Sequence, residues 1–227
     1  MTNEIKSWND LSRLIQKCAD GKWIFRGEDR LDNLLRPKAG RVGPEKGSAR
    51  KKPYDPNHEK TAIELFKKQA RPHLEHQPLS DMEWLAVAQH TGMSTRLLDW
   101  TESLLVACYF AVTSAGTKGD AVIYGVRNLP VVTKGEENKP FAIKYVAIYR
   151  PPHIAPRIPA QRSVFTVHPK PTVDFRSENV ISWPISSAVC GEIKAILDSC
   201  AINESSLFPD LDGLSRYIGW RYKWGKL

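Results

Sequence analysis

Most of the signals that mark membrane, secreted and disulfide-bonded proteins are missing from this sequence. No apolar run approaches the roughly 18 residues that a membrane-spanning helix needs, and the longest, 104–112, has the length of a core helix. No basic segment followed by an apolar one occurs near residue 1, so no secretory signal is predicted. The four cysteines form no Cys-x-x-Cys pair, which favours free thiols in a reducing compartment. These absences predict a cytoplasmic protein with no membrane partner.

The common catalytic and nucleotide-binding motifs are missing as well. The sequence contains no Gly-x-x-x-x-Gly-Lys-Ser/Thr, no Gly-x-Gly-x-x-Gly, no Gly-x-Ser-x-Gly and no His-Glu-x-x-His. His73 and His76 are the one close histidine pair, and no third metal ligand stands near them in the sequence. We therefore expect no metal site.

Charge is abundant but unevenly distributed. The 227 residues include 33 Lys and Arg against 25 Asp and Glu, a net charge of +8 with 41% hydrophobic residues, which is an ordinary globular balance. Between Arg36 and Lys52 seven cations face a single carboxylate, and six prolines and glycines interrupt any core-facing pattern up to Pro53. We predict a flexible basic loop at about 36–57. It could bind nucleic acid or an acidic protein, or it could be a solvated insertion.

The hydrophobic pattern predicts an α+β fold in a single domain over 1–227, with a mixed, mostly antiparallel sheet flanked by helices. Ser7 or Asn9 caps a first helix, and Gly21 ends it. Ser80 and Glu83 form a capping box, Gly92 ends that helix, and Asp99 to Glu102 resembles a second capping box. The remaining predicted helices are 59–71 and 187–197, and the predicted strands are 23–25, 121–126, 143–149 and 163–167.

Three polar segments interrupt apolar ones and are the candidate site. Arg26 follows a buried-looking strand and precedes Gly27, which suits an anchor for phosphate or carboxylate; pairing with a carboxylate such as Asp99 is the alternative. The second segment, 89–101, joins two predicted helices, and its polar groups suit an anion site at a helix N-terminus. These groups are His90, Thr95, Arg96, Asp99 and Thr101, and they could equally cap, pair and pack beside Trp100.

The third segment runs from Arg157 to His168. Strict alternation along a strand would place Gln161, Ser163 and Phe165 on one face, where two polar side chains line a cleft above an apolar floor. An edge strand with solvated polar ends is the alternative.

Together these segments resemble the FRG domain family. The resemblance rests on Phe25-Arg26-Gly27, on Gln89-His90-x-Gly92-x-x-Thr95-Arg96-Leu97-Leu98-Asp99-Trp100-Thr101 and on the alanine-rich segment that follows. Gln161-x-Ser163-x-Phe165 and the run from Leu207 to Leu214 extend it, so that it covers about residues 8–219. Leu104 stands where a proline is expected, and the basic insertion looks particular to this chain.

The order of elements in turn resembles the ADP-ribosyltransferase fold. That resemblance implies a first-strand arginine that grips the NAD diphosphate, a Ser/Thr motif, and a later strand whose glutamate orients the nicotinamide ribose. It assigns the diphosphate to Arg26 and Gly27. It assigns the pocket walls and the reacting ribose to His90, Thr95, Arg96, Asp99, Trp100, Thr101, Gln161 and Ser163, with Arg26, Asp99, Thr101 and Gln161 as the catalytic set.

Gln161 departs from this pattern, because a neutral amide cannot stabilise a positively charged transition state as a glutamate does. Asp99, Glu102 or Glu178 could supply the missing charge. The sequence therefore supports an NAD-dependent ADP-ribosyltransferase-like enzyme, of the kind found in toxins and antiphage systems. The alternatives are a non-catalytic nucleotide- or anion-binding module and a nucleic-acid-binding protein that uses the basic loop.

Overall fold

An antiparallel six-stranded sheet forms the centre of the protein. A computed structural model describes residues 3–41, 53–115, 120–175 and 179–225. The strands stand in the order β4-β5-β2-β1-β3-β6, and every neighbouring pair is antiparallel. Their bounds are β1 Trp23–Glu28, β2 Leu97–Thr101, β3 Ala121–Arg127, β4 Ala147–Tyr149, β5 Ser163–Val167 and β6 Val180–Ile185.

Helices cover the sheet and its ends. They are α1 Trp8–Lys17, α2 Pro56–Ala70, α3 Asp81–His90, α4 Leu104–Ala115, α5 Arg157–Ala160, α6 Ser187–Ser199, α7 Glu204–Leu207 and α8 Leu211–Lys223. Short 3-10 turns occupy Lys38–Gly40 and Arg71–His73. The α+β class is thus confirmed. The sheet is less mixed than predicted, since parallel pairing in the described chain occurs only in two isolated bridges outside the named strands.

The sheet is split at its centre. Strands β1 and β3 are paired along six residues, whereas β1 and β2 are paired at one position, Phe25 with Thr101. Beyond that pair the two strands diverge. The cleft described below opens at this split between β1 and β2.

Helix α4 packs directly on the backbone of β1 at Gly27. A Cβ atom at that position would lie 1.8 Å from the carbonyl oxygen of Ala107 and 2.6 Å from the amide nitrogen of Ala111. No side chain fits in this gap, so the glycine is required for the helix to reach the strand. Apolar residues of α1, α4 and α6 then form one core cluster with β1, β3 and β6, and those of α3 form a second with β2, β4 and β5.

Several predicted helix ends are confirmed. The Ser7 hydroxyl accepts from the Asp10 amide and caps α1, and the Ser80 hydroxyl accepts from the Glu83 amide and caps α3. Gly21 and Gly92 have φ angles of +70° and +103°, the left-handed conformation that glycine adopts without strain.

The helix start predicted at Asp99 is wrong. Asp99 lies in the middle of β2, paired with Phe165 of β5, and α4 begins only at Leu104. Ser103 supplies the side-chain hydrogen bond at the start of α4, because its hydroxyl accepts from the Val106 amide at 3.3 Å. The strand predicted over 143–149 is shortened to β4, since only its last three residues pair with β5.

Both described ends of the predicted basic loop are built into the fold. Ala39 and Gly40 are buried, and the Ala39 amide donates to the Thr95 carbonyl at 3.2 Å. At the other end α2 already begins at Pro56, capped by Asp55. These flanks thus lie in a 3-10 turn and a helix, and the flexibility predicted for the loop between them stays a prediction. Residues 42–52, with most of its charge, lie outside the described residues.

A candidate ligand-binding cleft at the split in the sheet

The cleft at the split has a volume of about 470 Å³. Residues from β1, β2 and β5, from the middle of α4, from the 3-10 turn at Lys38–Gly40 and from the ends of α3, α5 and α7 form its walls. Its polar lining is Arg26, Glu28, Asp29, Lys38, Gln89, His90, Asp99, Thr101, Arg157, Gln161 and Ser163. Its remaining lining is Phe25, Gly27, Trp100, Phe110, Phe165 and Phe208. The three sequence segments predicted to form a site therefore meet in one place.

Arg26 bridges the gap between β1 and β2. Its Nη1 donates to the backbone carbonyl of Asp99 at 2.8 Å. Its Nε donates to Glu28 Oε1 at 2.7 Å, and Nη2 lies 2.6 Å from the same oxygen. The Asp99 carboxylate is farther away, at 3.9 Å. Arg26 thus lines the cleft and is paired with carboxylates, whereas the anchoring of an anion stays a prediction.

Glu28 is a cleft residue that the sequence analysis missed. Residues 26 and 28 are two apart on β1 and so share a face of the strand. The Asn33 side-chain amide donates to Glu28 Oε2 at 2.9 Å and to Asp29 Oδ1 at 3.2 Å. Strand alternation applied to Arg26 was the available signal, and it would have placed this carboxylate beside the guanidinium.

Asp99 faces the cleft with its side chain half exposed. The Gln89 amide donates to Asp99 Oδ2 at 2.9 Å, and the Thr95 hydroxyl donates to Gln89 Oε1 at 2.9 Å. Thr95 is fully buried and lies outside the lining. Its observed contact with the cleft is therefore indirect, through the orientation of Gln89.

His90 ends α3 and reaches the cleft beside Arg157 and Asp99. Burial, and then the positive charge of Arg157, lower the pKa of His90, while Asp99 acts in the opposite direction. Because its ordinary pKa is already near 6.5, the imidazole is neutral at pH 7 and can accept a proton.

Arg96 does not line the cleft. Its side chain is 3% exposed, and its guanidinium pairs with Glu59 of α2, Nη2 to Oε2 at 2.9 Å. The guanidinium also lies 4.0 Å from the centre of the Phe141 ring. Neither the predicted contact with a ligand nor the alternative pairing with Asp99 occurs, because a carboxylate from another helix takes up this charge.

Gln161 reaches the cleft by a different route from the one predicted. It follows α5 and precedes β5, and Arg162 between them has a φ of +47°, so the strand alternation begins only at Ser163. The Gln161 side-chain amide donates to the Leu207 carbonyl at 3.0 Å. Its backbone carbonyl accepts from the Thr101 hydroxyl at 2.7 Å. Thr101 and Gln161 thus join β2, β5 and α7 around the cleft.

The other predicted positions divide between cleft and core. Ser163 lines the cleft at the start of β5. Trp100 touches it, but its side chain is 3% exposed and its indole N–H donates to the Thr166 hydroxyl at 2.9 Å. The side chain of Trp100 therefore packs in the core, which was the alternative interpretation of its sequence position.

One end of the cleft is aromatic. Phe110 of α4 and Phe208 meet edge to face with their ring centres 6.1 Å apart, and the Arg157 guanidinium lies 5.1 Å from the centre of the Phe208 ring. Arg157 is held in turn by Asp210, whose carboxylate also caps α8. None of these three lining residues was given a role from the sequence, although Arg157 opens the third candidate segment and Phe110 and Phe208 lie in segments that carried the family resemblance.

The other carboxylates that could supply the missing charge differ in position. Glu102 pairs with Arg150 at 2.8 Å and lies outside the lining. Glu178 lies outside the described residues. Asp99 is therefore the one carboxylate of that set that we find in the cleft. Among described residues no group of three His, Cys, Asp or Glu could hold a metal ion, and no helix is long and apolar enough to cross a membrane.

Comparison with known families agrees with the motifs. Residues 21–120 match the family model of the FRG domain. The resemblance to the FRG domain is confirmed over these residues. The matched region contains Arg26, Glu28, His90 and Asp99, whereas the cleft residues from α5 onward lie beyond it. Neither a curated protein nor a solved structure is similar enough to this chain to count as a match.

Proposed function

We propose that the cleft binds NAD and that the protein is an NAD-dependent, ADP-ribosyltransferase-like enzyme. One observation carries the proposal: Arg26 on β1, Asp99 and Thr101 on β2, and Gln161 and Ser163 at β5 line a single cleft, on three strands that are neighbours in the sheet. These are the chain segments in which such enzymes carry their NAD-binding groups. The resemblance supports the activity at the level of the fold alone.

The lining offers a partner for each part of NAD. Arg26 offers N–H groups to the diphosphate, and Phe110 and Phe208 offer faces and edges on which a planar ring can pack. The half-exposed Asp99 offers a negative charge in the place of the missing glutamate. An acidic acceptor, protein or nucleic acid, would meet the basic segment from Arg36 to Lys52.

The chemistry proceeds by loss of nicotinamide. When the bond between nicotinamide and ribose breaks, its electron pair leaves with the nicotinamide and positive charge develops on the ribose carbon and ring oxygen. A carboxylate aimed at that charge stabilises the transition state. The acceptor nucleophile then bonds to the ribose carbon and gives up its proton, for which the neutral His90 is the base in the cleft.

A non-catalytic binding module remains the second candidate, and Gln161 favours it. Its side-chain amide is already engaged by the Leu207 carbonyl. An anchored neutral group holds a ligand in place but adds no charge in the transition state. This candidate predicts binding without turnover.

Nicotinamide release from NAD, measured by chromatography on the wild-type protein and on Asp99→Asn, separates the two. We expect release by the wild type, and a loss of about 100-fold or more in Asp99→Asn, the order of effect of removing one transition-state contact. Asparagine can still accept from Gln89, so the fold is retained. Labelled NAD in cell extract then identifies the acceptor.

Glu102→Gln is the matched control, because it removes one carboxylate next to β2 that does not line the cleft. It should leave the rate unchanged. An equal loss in both variants would assign the effect to net charge and remove Asp99 from the mechanism. Folded wild-type protein that binds ADP-ribose in calorimetry but releases no nicotinamide would establish the binding module instead.

A further inference from the structure

The contact between Arg26 and Glu28 differs from an ordinary structural ion pair. The Arg96–Glu59 pair is buried, with both side chains 3% exposed, and lies away from the cleft. Arg26 and Glu28 instead both form part of the cleft wall, and their side chains are 16% and 11% exposed. Any anion that approaches Arg26 from the cleft therefore meets the Glu28 carboxylate as well.

Charges around the cleft are balanced, although the chain carries a net charge of +8. Among the described residues the lining has three cations, Arg26, Lys38 and Arg157, and three carboxylates, Glu28, Asp29 and Asp99. A site for a polyanion would carry an excess of positive charge instead.

We infer that Glu28 is a built-in counter-ion of Arg26 and makes the cleft select ligands of low net charge over more highly phosphorylated ones. The inference rests on the proposed function in taking NAD as the ligand. The cationic nicotinamide offsets one negative charge of the NAD diphosphate. Nucleoside triphosphates lack this cation, and the 2′-phosphorylated form of NAD carries the further negative charge of its 2′-phosphate. Glu28 repels this additional charge.

Inorganic pyrophosphate is the probe that tests the counter-ion role without NAD. Glu28→Gln keeps the shape of the side chain and removes its charge, so Arg26 loses its competitor. We expect pyrophosphate, titrated by calorimetry at low salt, to bind this variant at least fivefold more tightly than the wild type. Glu102→Gln changes the net charge of the chain equally, outside the cleft, and should bind pyrophosphate as the wild type does.

Two outcomes would overturn the inference. Equal pyrophosphate affinity for a folded Glu28→Gln variant and the wild type would make Glu28 a structural residue only. An equal gain in Glu102→Gln would assign the effect to overall charge. Thermal unfolding of each variant shows that folded protein is being compared.

A second measurement needs no variant. Wild-type protein should bind NAD at least tenfold more tightly than its 2′-phosphorylated form, and a preference for the latter would contradict the selection. If NAD itself does not bind, the proposed function fails. The pyrophosphate comparison still decides the role of Glu28, so the two failures are distinguishable.

Discussion

At the scale of single residues, three consecutive residues of β1 make contacts on the two faces of the sheet. Arg26 and Glu28 meet in the cleft wall, while Gly27 between them receives the backbone of α4. Gly27 lines the cleft, and its lack of a side chain is also what lets α4 reach the strand. The position of α4, and of Phe110 on it, therefore depends on this residue.

Gly27→Ala should destabilise the protein by about 3 kcal/mol or more, because the added methyl group would overlap the Ala107 carbonyl and push α4 from the sheet. Urea unfolding followed by fluorescence measures the change. Gly191→Ala is the matched control, since nothing lies within 4 Å of a Cβ there and α6 should gain up to about 1 kcal/mol. Wild-type stability in Gly27→Ala would show that α4 tolerates a displacement.

At the scale of elements, helix α2 is tied to the start of β2 by a buried charge pair. Glu59 Oε1 accepts from the Arg96 backbone amide at 2.7 Å, and Oε2 accepts from the guanidinium. The Tyr54 hydroxyl bonds to both partners, and burial together with Glu59 raises the pKa of this phenol. The chain on the far side of residues 42–52 is thereby held against the strand that carries Asp99.

Glu59→Ala should cost about 3–5 kcal/mol in the free energy of unfolding, because it leaves the Arg96 charge buried without its partner. Glu64→Ala on the same helix removes an exposed carboxylate paired with Lys67 and should change stability by less than about 1 kcal/mol. Chemical denaturation of the two variants provides the comparison. Similar small losses would mean that water reaches the Arg96 guanidinium.

Element prediction succeeded where the signal was local and failed where a distant strand decided the structure. Ser80 and Gly92 are recognised by short-range capping rules, and both are confirmed. Asp99 obeys the same capping pattern, yet pairing with Phe165, 66 residues later, makes it part of a strand. The site was predictable to the extent that its motifs were. Glu28 was missed although alternation along β1 places it on the same face as Arg26. Arg157 opened a candidate segment but was given no role, because its contacts with Phe208 and Asp210 join distant parts of the chain.

At the scale of the whole molecule, stability depends on pH through a buried histidine. His168 is 2% exposed, and its Nε2 lies 2.8 Å from the Thr166 hydroxyl oxygen. The same oxygen accepts from the Trp100 indole N–H. Burial lowers the pKa of His168 to about 4.

Acid should therefore destabilise the fold between about pH 6.5 and 4. The unfolded chain takes up the proton near pH 6.5 and the folded chain only near 4, so the stabilisation is complete above this window and is lost as the pH falls through it. The loss from this residue is roughly 3 kcal/mol. Urea unfolding at several pH values should give a flatter profile for His168→Gln, whereas His58→Gln, at an exposed histidine, should retain the wild-type slope. An unchanged slope in His168→Gln would assign the acid sensitivity to other groups.

The hydrogen bond from Arg26 to the Asp99 carbonyl has a further consequence for the sheet as a whole. Strands β1 and β2 are paired at one position, and beside it the Arg26 guanidinium connects them by donating to the Asp99 carbonyl. The side chain that would attract an anion therefore also connects the two halves of the sheet. A ligand that drew Arg26 toward itself would weaken this hydrogen bond and thus the connection between the halves. Conversely, a change in the separation of the halves would alter the affinity of the cleft for the ligand, because coupling between two equilibria is reciprocal.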